Sequence, residues 1–480
     1  MLRNAIGLFL FVCFITSCEK ETIDNSTRFP LKFSTDTLTF DTIFQTLGSA
    51  TRSFRIYNRS SSTLIISRAY LSQGTNSQYR FNIDGLSGVK AENIRILPND
   101  SLWVFAEVTV NPNPSNPILV MDSIILETNG SRQIIIMRAL GQNAYFHYGE
   151  VVQSNTNFLS DKPHVIIDKR TNSGTIPGLL IANGATLNIE AGCKLHFASS
   201  AGIIVQGSLK CNGTKDKPIH MRGLRLEKSY IKAAGQWLGL LFERNSKNNV
   251  LSYTTVDESA FGIWLGFQPQ TNFGQMTNNS TRAEIYLKNS TISNAFYWTL
   301  RSMNCKVEAD NCQFFTSTEY LVQLLLGGDY RFRNCTLFNI QSKDKKGNLL
   351  LANQFYDEDG KQTYKNKLEN TCFFENCIIN SNADESIILD IDKPLNTDAD
   401  YSFRNCNYNS KSNLTSPSFT NAQVNQNPLF ESTVIDKENL KLKANSPCID
   451  KGLSNSLLDD IKGEPRPKGS GTDIGAYESF

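Results

Sequence analysis

Four short stretches recur in the second half of the chain: "DNCQF" at 310–314, "RNCTL" at 333–337, "ENCII" at 375–379 and "RNCNY" at 404–408. Each sets an Asn-Cys pair just ahead of a large apolar or aromatic side chain. "NSTI", beginning at Asn289, has the same phase with Ser290 in the place of the cysteine. Counted between Asn289, Asn311, Asn334, Asn376 and Asn405, the intervals are 22, 23, 42 and 29 residues. A unit of about 22 residues, with insertions in the two longer intervals, has the period of a solenoid coil. The cysteines then fill one interior column, where a free thiol behaves as a small apolar residue. Zinc thiolate sites favour close pairs such as C-x2-C, and neither Cys305/Cys312 nor Cys372/Cys377 has that spacing. Nine cysteines remain besides Cys13 and Cys18, an odd number, and in-register neighbours in parallel strands are badly placed for disulfides. The Asn is expected to make a bend, because it tolerates left-handed backbone.

The rest of the chain fits this all-β pattern. Ser, Asn and Thr are abundant and Phe and Tyr are common, a balance that suits strands and turns better than helices. The 480 residues allow two or three domains, unless a solenoid absorbs most of them as one body. A net charge of +2, with no Lys/Arg block, provides no field for gripping nucleic acid. From Thr35 to about Gly141 the text alternates apolar and polar residues, as in "SFRIYNRSSSTLIISRAYL", "LWVFAEVTV" and "RQIIIMRALG". Short alternating runs between Ser/Asn/Gly/Pro turns predict a β-sandwich over 34–145. The order of its pieces resembles the immunoglobulin-like domains of the abnormal-spindle/hydin type, which implies a surface spacer.

From about 150 the pattern shortens. "LLIANGATLNIEAGCKLHFASSAGIIVQGSLKCNGTKDKPIHMRG" alternates very short apolar strands with Gly and Asn corners, and "GQWLGLLFERNSKNNVLSYTTVDESAFGIWLG" continues it. This resembles the entry coils of the right-handed parallel β-helix, the pectate-lyase-like superfamily. At one strand spacing of roughly 4.8 Å per coil, residues 146–425 would make about ten coils and a rod on the order of 50 Å long. The segment 426–480 carries Ser446-Pro447-Cys448-Ile449-Asp450, Pro465-Arg466-Pro467 and Asp473-Ile474-Gly475-Ala476-Tyr477-Glu478. It resembles a "choice-of-anchor Q"-type C-terminal module of bacterial β-helix surface proteins, and is expected to cap the unpaired edge of the last coil.

The N-terminus "MLRNAIGLFLFVCFITSCEKE" has one Arg, then an apolar run from Ala5 to Ile15 too short to span a bilayer comfortably. Residues 1–17 are expected to be a signal peptide. Ile15-Thr16-Ser17-Cys18 resembles the bacterial lipobox, which implies lipidation of Cys18, with 18–33 as a polar tether. Glu19, Lys20 and Glu21 resemble the export signal of Bacteroidetes surface lipoproteins. That resemblance implies an outer-membrane, cell-surface location, the periplasmic face being the alternative, with lipid as the membrane anchor. Asp36-Thr37-Leu38, Asp41-Thr42-Ile43, Asp100-Ser101-Leu102 and Asp122-Ser123-Ile124 resemble the O-glycosylation tripeptides of the same group.

Candidate chemistry lies on outward side chains. "AFGIWL" (260–265), "AFYWTL" (295–300) and "EYLVQL" (319–324) occupy comparable places in successive coils. If Phe261, Ile263 and Leu265 point inward, Trp264 points out, with Thr299 and Gln323 stacked beside it, Tyr297 one row across and Arg301 at the strand end. Such a face stacks on a sugar ring and bonds its hydroxyls. Phe267 and Phe273, in the loop Gly266–Arg282, would wall one side. A one-residue slip in register would reverse these assignments. Asp390 and Asp392, at a strand end, are the carboxylates to test as an acid/base pair. Asp357 and Asp359 in "YDEDGKQTY" are better read as a hairpin turn than as a calcium loop. The histidines at 147, 164, 196 and 220 are scattered, and no H-E-x-x-H, G-x-S-x-G, P-loop or G-x-G-x-x-G unit occurs. The expectation is a lipid-anchored envelope protein binding polysaccharide along a β-helix face, without metal or cofactor and with protein partners unassigned. Its alternatives are a polysaccharide lyase or glycoside hydrolase, which would bring calcium in the lyase case, and a structural or adhesive rod.

Overall fold

The computed structural model describes residues 22–479 apart from 25, 27–29, 113–117, 173, 269–276, 278–279, 341–346, 357–362, 370–371, 399, 413–416 and 435–436. Cys18 and the signal peptide, Phe273, Asp357 and Asp359 lie outside the described residues. Two compact units result, Met1–Ala144 and Tyr145–Phe480. The first holds two five-stranded sheets. One runs Lys32–Phe33, Arg52–Tyr57, Ser101–Val108, Tyr79–Ile83, Leu86–Gly88; the other runs Thr37–Phe44, Ser131–Gln142, Ile118–Thr128, Leu64–Leu71, Lys90–Ile96. Pairing is antiparallel except between Thr37–Phe44 and Ser131–Gln142. Alternation buries one face of each sheet, and Phe54, Ile66, Tyr79, Val104, Ile124, Ile135 and Met137 form the core between them. The described end of the expected tether is docked: Ile23 bridges Thr63, Leu31 is buried, and Lys32–Phe33 pairs with Ile56 and Tyr57. Edge pairing and burial of Leu31 outweigh the polar composition there.

The second unit is a parallel β-helix. Its three sheets hold 11, 9 and 10 strands, and successive members of each are parallel. We call them the first, second and third sheets after their opening strands, Tyr145–Tyr148, Glu150–Val152 and Thr156–Phe158. One apolar column fills the interior from Phe158 to Tyr408. Asn289, Asn311, Asn334, Asn376 and Asn405 all have φ between 49° and 53°. Each makes the corner that leads from a third-sheet strand into a first-sheet strand, for example from Lys306–Asp310 into Gln313–Ser317. The residue after each Asn is buried and acts as a donor as well as a filler. Cys335 donates to the Ala309 and Arg333 carbonyls, Cys377 to Phe332 and Glu375, and Cys406 to Phe374 and Arg404. Ser290 does the same toward Leu251 and Lys288, and Thr254 toward Ser252. Asn304-Cys305 repeats the device at a corner between the second and third sheets, with φ 50° and a thiol bond to the Met303 carbonyl.

The C-terminal residues depart from the expected end cap, because they run down the side of the solenoid along this asparagine ladder. Going back from the last coils, the amides of Asn405, Asn376, Asn334, Asn311 and Asn289 donate to the carbonyls of Lys451, Leu453, Asp473, Asp459 and Asp460. Lys215 meets Glu464 at 2.9 Å farther along. Phe315, Phe338 and Ile378 on the outside of the first sheet are covered by Phe430, Leu442, Cys448 and Ile474. The approach is close: a Cβ on Gly475, at φ 106°, would lie 2.7 Å from Ile378 Cδ1. The physical reason for the lateral path is this apolar strip, which would otherwise face water. Within the strap, the Arg466 guanidinium bonds Glu478 at 2.9 Å and the Gly475 carbonyl at 2.8 Å, and both ionic side chains are fully buried. Asp473 accepts from the backbone of Asp450 and Ser479, and burial pushes its carboxyl up to about 6.

Candidate functional site

The second sheet positions the site. Its strands Leu240–Glu243, Ile263–Phe267, Leu300–Met303, Val322–Leu325 and Leu349–Ala352 align so that Leu241, Trp264, Arg301, Gln323 and Leu350 form one outward row. Ile263 and Leu265 point into the interior column, which turns Trp264 outward. Arg301, not Thr299, is the direct neighbour of Trp264. Thr299 is buried, with its hydroxyl donating to the Leu321 carbonyl at 2.6 Å. The slip arises because Phe296–Thr299 is a bend between sheets and the strand begins only at Leu300. Gln323 keeps a place in the row, beside Arg301 and 3.5 Å from Glu319.

The same bend gathers aromatic rings. Phe261, expected in the core, is half-buried outside it and stacks on Tyr297, with centroids 5.0 Å apart and planes at 10°. It leaves the core because Ala260–Gly262 is itself a corner ahead of the strand. Trp264 meets Phe267 at 5.2 Å and Trp298 at 5.4 Å, both edge-on. Phe296 and Tyr297, 45% and 36% exposed, form the open rim. Arg301 lies among the rings, with its guanidinium carbon 4.6 Å from the Trp298 centroid, 5.4 Å from that of Trp264 and 5.9 Å from that of Phe355. Phe355 comes from the hairpin of Gln354–Tyr356 and Thr363–Lys365, which is inserted between "RNCTL" and "ENCII".

The donors of this cluster are unanswered. The Nε of Arg301 and the indole nitrogens of Trp264 and Trp298 are buried without a hydrogen-bond partner among the described residues. Among the described residues no carboxylate is within ion-pair reach of Arg301, whereas Arg222, Arg333 and Arg466 pair with Glu258, Asp310 and Glu478. Burial lowers the Arg301 guanidinium to about 10, against a weaker pull from Glu319. The indole of the fully buried Trp237, by contrast, donates to the Asp257 carbonyl at 2.7 Å.

Asp390 and Asp392 are engaged separately by the hairpin. Asp390 accepts from the Gln354 amide, and Asp392 pairs with Lys365 at 2.9 Å. Two of the scattered histidines meet at the first coil: His147 bonds Glu150 at 2.5 Å and His164 at 2.9 Å, and His164 Nε2 donates to the Leu159 carbonyl. Burial pushes His164 down to about 4. Their separation by 17 residues, close to one coil, was the available signal. No group of three or more His, Cys, Asp or Glu suited to a metal ion occurs among the described residues.

No family model matches the chain, and no curated protein matches it. Among solved structures it is similar to a family 123 glycoside hydrolase from Clostridium perfringens, at 8% identity over 26% of each chain and a TM-score of 0.19. It is also similar to the ASH/PapD-like domain 7 of human CEP192, at 10% identity over 26% of this chain and 91% of that one, TM-score 0.18. A third is the periplasmic chaperone SfaE, at 8% identity over 24% and 58%, TM-score 0.18. The chain spans about a quarter of the length of the glycoside hydrolase. Likeness at this level fixes neither activity nor partner.

Proposed function

We propose that this is a lipid-anchored cell-envelope protein that holds polysaccharide against the outer face of the second sheet. The observation that carries the proposal is the aromatic shelf of Phe261, Tyr297 and Trp264 set directly against Arg301, which has no ion-pair partner among the described residues. Sugar rings present apolar C–H faces edged by hydroxyls, and a shelf of rings with amide and guanidinium donors is complementary to both. A parallel β-helix repeats its strands along one axis, so adjoining coils offer successive rows to a linear polymer. The lipobox-like Ile15–Cys18, the Bacteroidetes-like export residues, the abnormal-spindle/hydin-like sandwich and the anchor-type C-terminal motifs support an outer-membrane surface protein in which the sandwich is a spacer.

The test is binding of the full chain to an oligosaccharide array. Tyr297→Ala and Trp264→Ala should each weaken retention about tenfold, the scale of one lost ring contact of about 1–1.5 kcal/mol. Unchanged binding in both variants would remove the face from consideration.

A further inference from the structure

The ring cluster contains more hydrogen-bond donors than the described residues answer. Arg301 Nε, Trp264 Nε1 and Trp298 Nε1 are all buried and, among the described residues, all without an acceptor. Trp298 is only 5% exposed, so its unanswered indole is not a surface accident. A buried donor left without a partner costs on the order of 1–3 kcal/mol, and three within one ring cluster favour a site that gains an acceptor on binding. The acceptor also has to balance charge. Arg301 stays cationic at neutral pH and, among the described residues, is held by aromatic faces rather than by a carboxylate. Neutral hydroxyls would satisfy some of the donors but leave that charge unmatched. Gln323, next in the row, adds an amide that already reaches toward Glu319.

We infer that the ligand carries an anionic group, a carboxylate or a sulfate ester, which docks against Arg301 through direct hydrogen bonds. The inference rests on the proposed glycan-binding role of this face and narrows the ligand to an acidic polysaccharide. The anion takes the guanidinium N–H groups, while the sugar ring carrying it spreads over Tyr297 and Phe296, the exposed edge of the cluster. No bridging cation is required, because the fixed positive charge already lies at the site.

The experiment titrates the full chain with oligosaccharides of equal length in three forms: neutral, uronate-containing and sulfated. The expected result is binding of an acidic form at least tenfold tighter than the neutral form, with affinity falling as salt rises. Preference for uronate or for sulfate names the source of the anion. Arg301→Met should remove the preference, and Arg301→Lys, which keeps the charge but loses the planar fork, should retain only part of it. A thermal melt of each variant separates lost binding from lost fold. Equal affinity for neutral and acidic forms, or a preference that survives Arg301→Met, overturns the inference while the glycan-binding role stands. Failure of every form to bind overturns both.

Discussion

Two places on the solenoid use polar side chains in opposite ways. Along the asparagine ladder, each amide is answered by a strap carbonyl and each thiol by backbone oxygens of its own coil or the coil before. On the second sheet, Arg301, Trp264 and Trp298 bury N–H groups that no described residue answers. The ladder resembles the inside of a protein that happens to lie near its surface. Satisfied polar networks fix a structure, whereas unsatisfied ones cost stability and persist where something else is gained. Function is therefore to be sought where several N–H donors of one cluster are left open, even though the sequence repeats most conspicuously along the ladder, where Asn311 Oδ1 is the exception among its amides.

The largest effect expected on the satisfied side is at Arg466. Its guanidinium and the Glu478 carboxylate are fully buried against one another, so Arg466→Ala strands a carboxylate and should cost about 3–5 kcal/mol. Limited proteolysis would report it as early cleavage within 451–479, ahead of the solenoid. The double variant Arg466→Met with Glu478→Leu should recover much of the loss, since neither charge is then left alone. Equal susceptibility of the single variant and the native chain would mean that the strap is held by its apolar strip alone.

A smaller loss is expected at Asn376. Its side chain donates to the Leu453 carbonyl at 2.8 Å and accepts from the Leu453 amide at 2.7 Å, and its backbone is left-handed at φ 53°. Asn376→Ala removes both bonds and adds backbone strain, together about 2–3 kcal/mol in a denaturant midpoint. Asn376→Gly relieves the strain but restores no bond, and should fall between the two. A glycine variant as unstable as the alanine one would put the whole effect in the strap contacts.

How much of this was legible in the sequence follows from the range of each interaction. The coil period, the left-handed Asn and the buried column are local and repeated, so "NC" announces them in the later coils. The hairpin behind Phe355 and the insertion in the 42-residue interval were legible for the same reason. The binding row was legible only to its face. Trp264, Arg301 and Gln323 do share it, but the bend Phe296–Thr299 shifts the register by two and sends Thr299 inward. Bend length is not written in strand periodicity. The strap was visible as motifs, yet its path joins Asn289 to Asp460 and Asn334 to Asp473, contacts no local pattern encodes.

The smallest expected effect tests what the cysteines are for. If the column were only apolar filling, Cys335→Ala would be the milder change and Cys335→Ser the harsher, because a hydroxyl would then enter an apolar interior. The bonding predicts the reverse. Cys335 donates to the Ala309 and Arg333 carbonyls at 3.4 Å each, and Ser290 fills the equivalent place two coils earlier with the same pair of bonds. Serine at 335 therefore meets acceptors already in position, and Cys335→Ser should stay within about 1 kcal/mol of the native chain. Cys335→Ala deletes the donor as well as the sulfur and should be about 1 kcal/mol less stable than the serine variant. The order of the two denaturant midpoints decides the matter. Serine above alanine makes the column part of the hydrogen-bonded ladder, and alanine above serine returns it to simple packing.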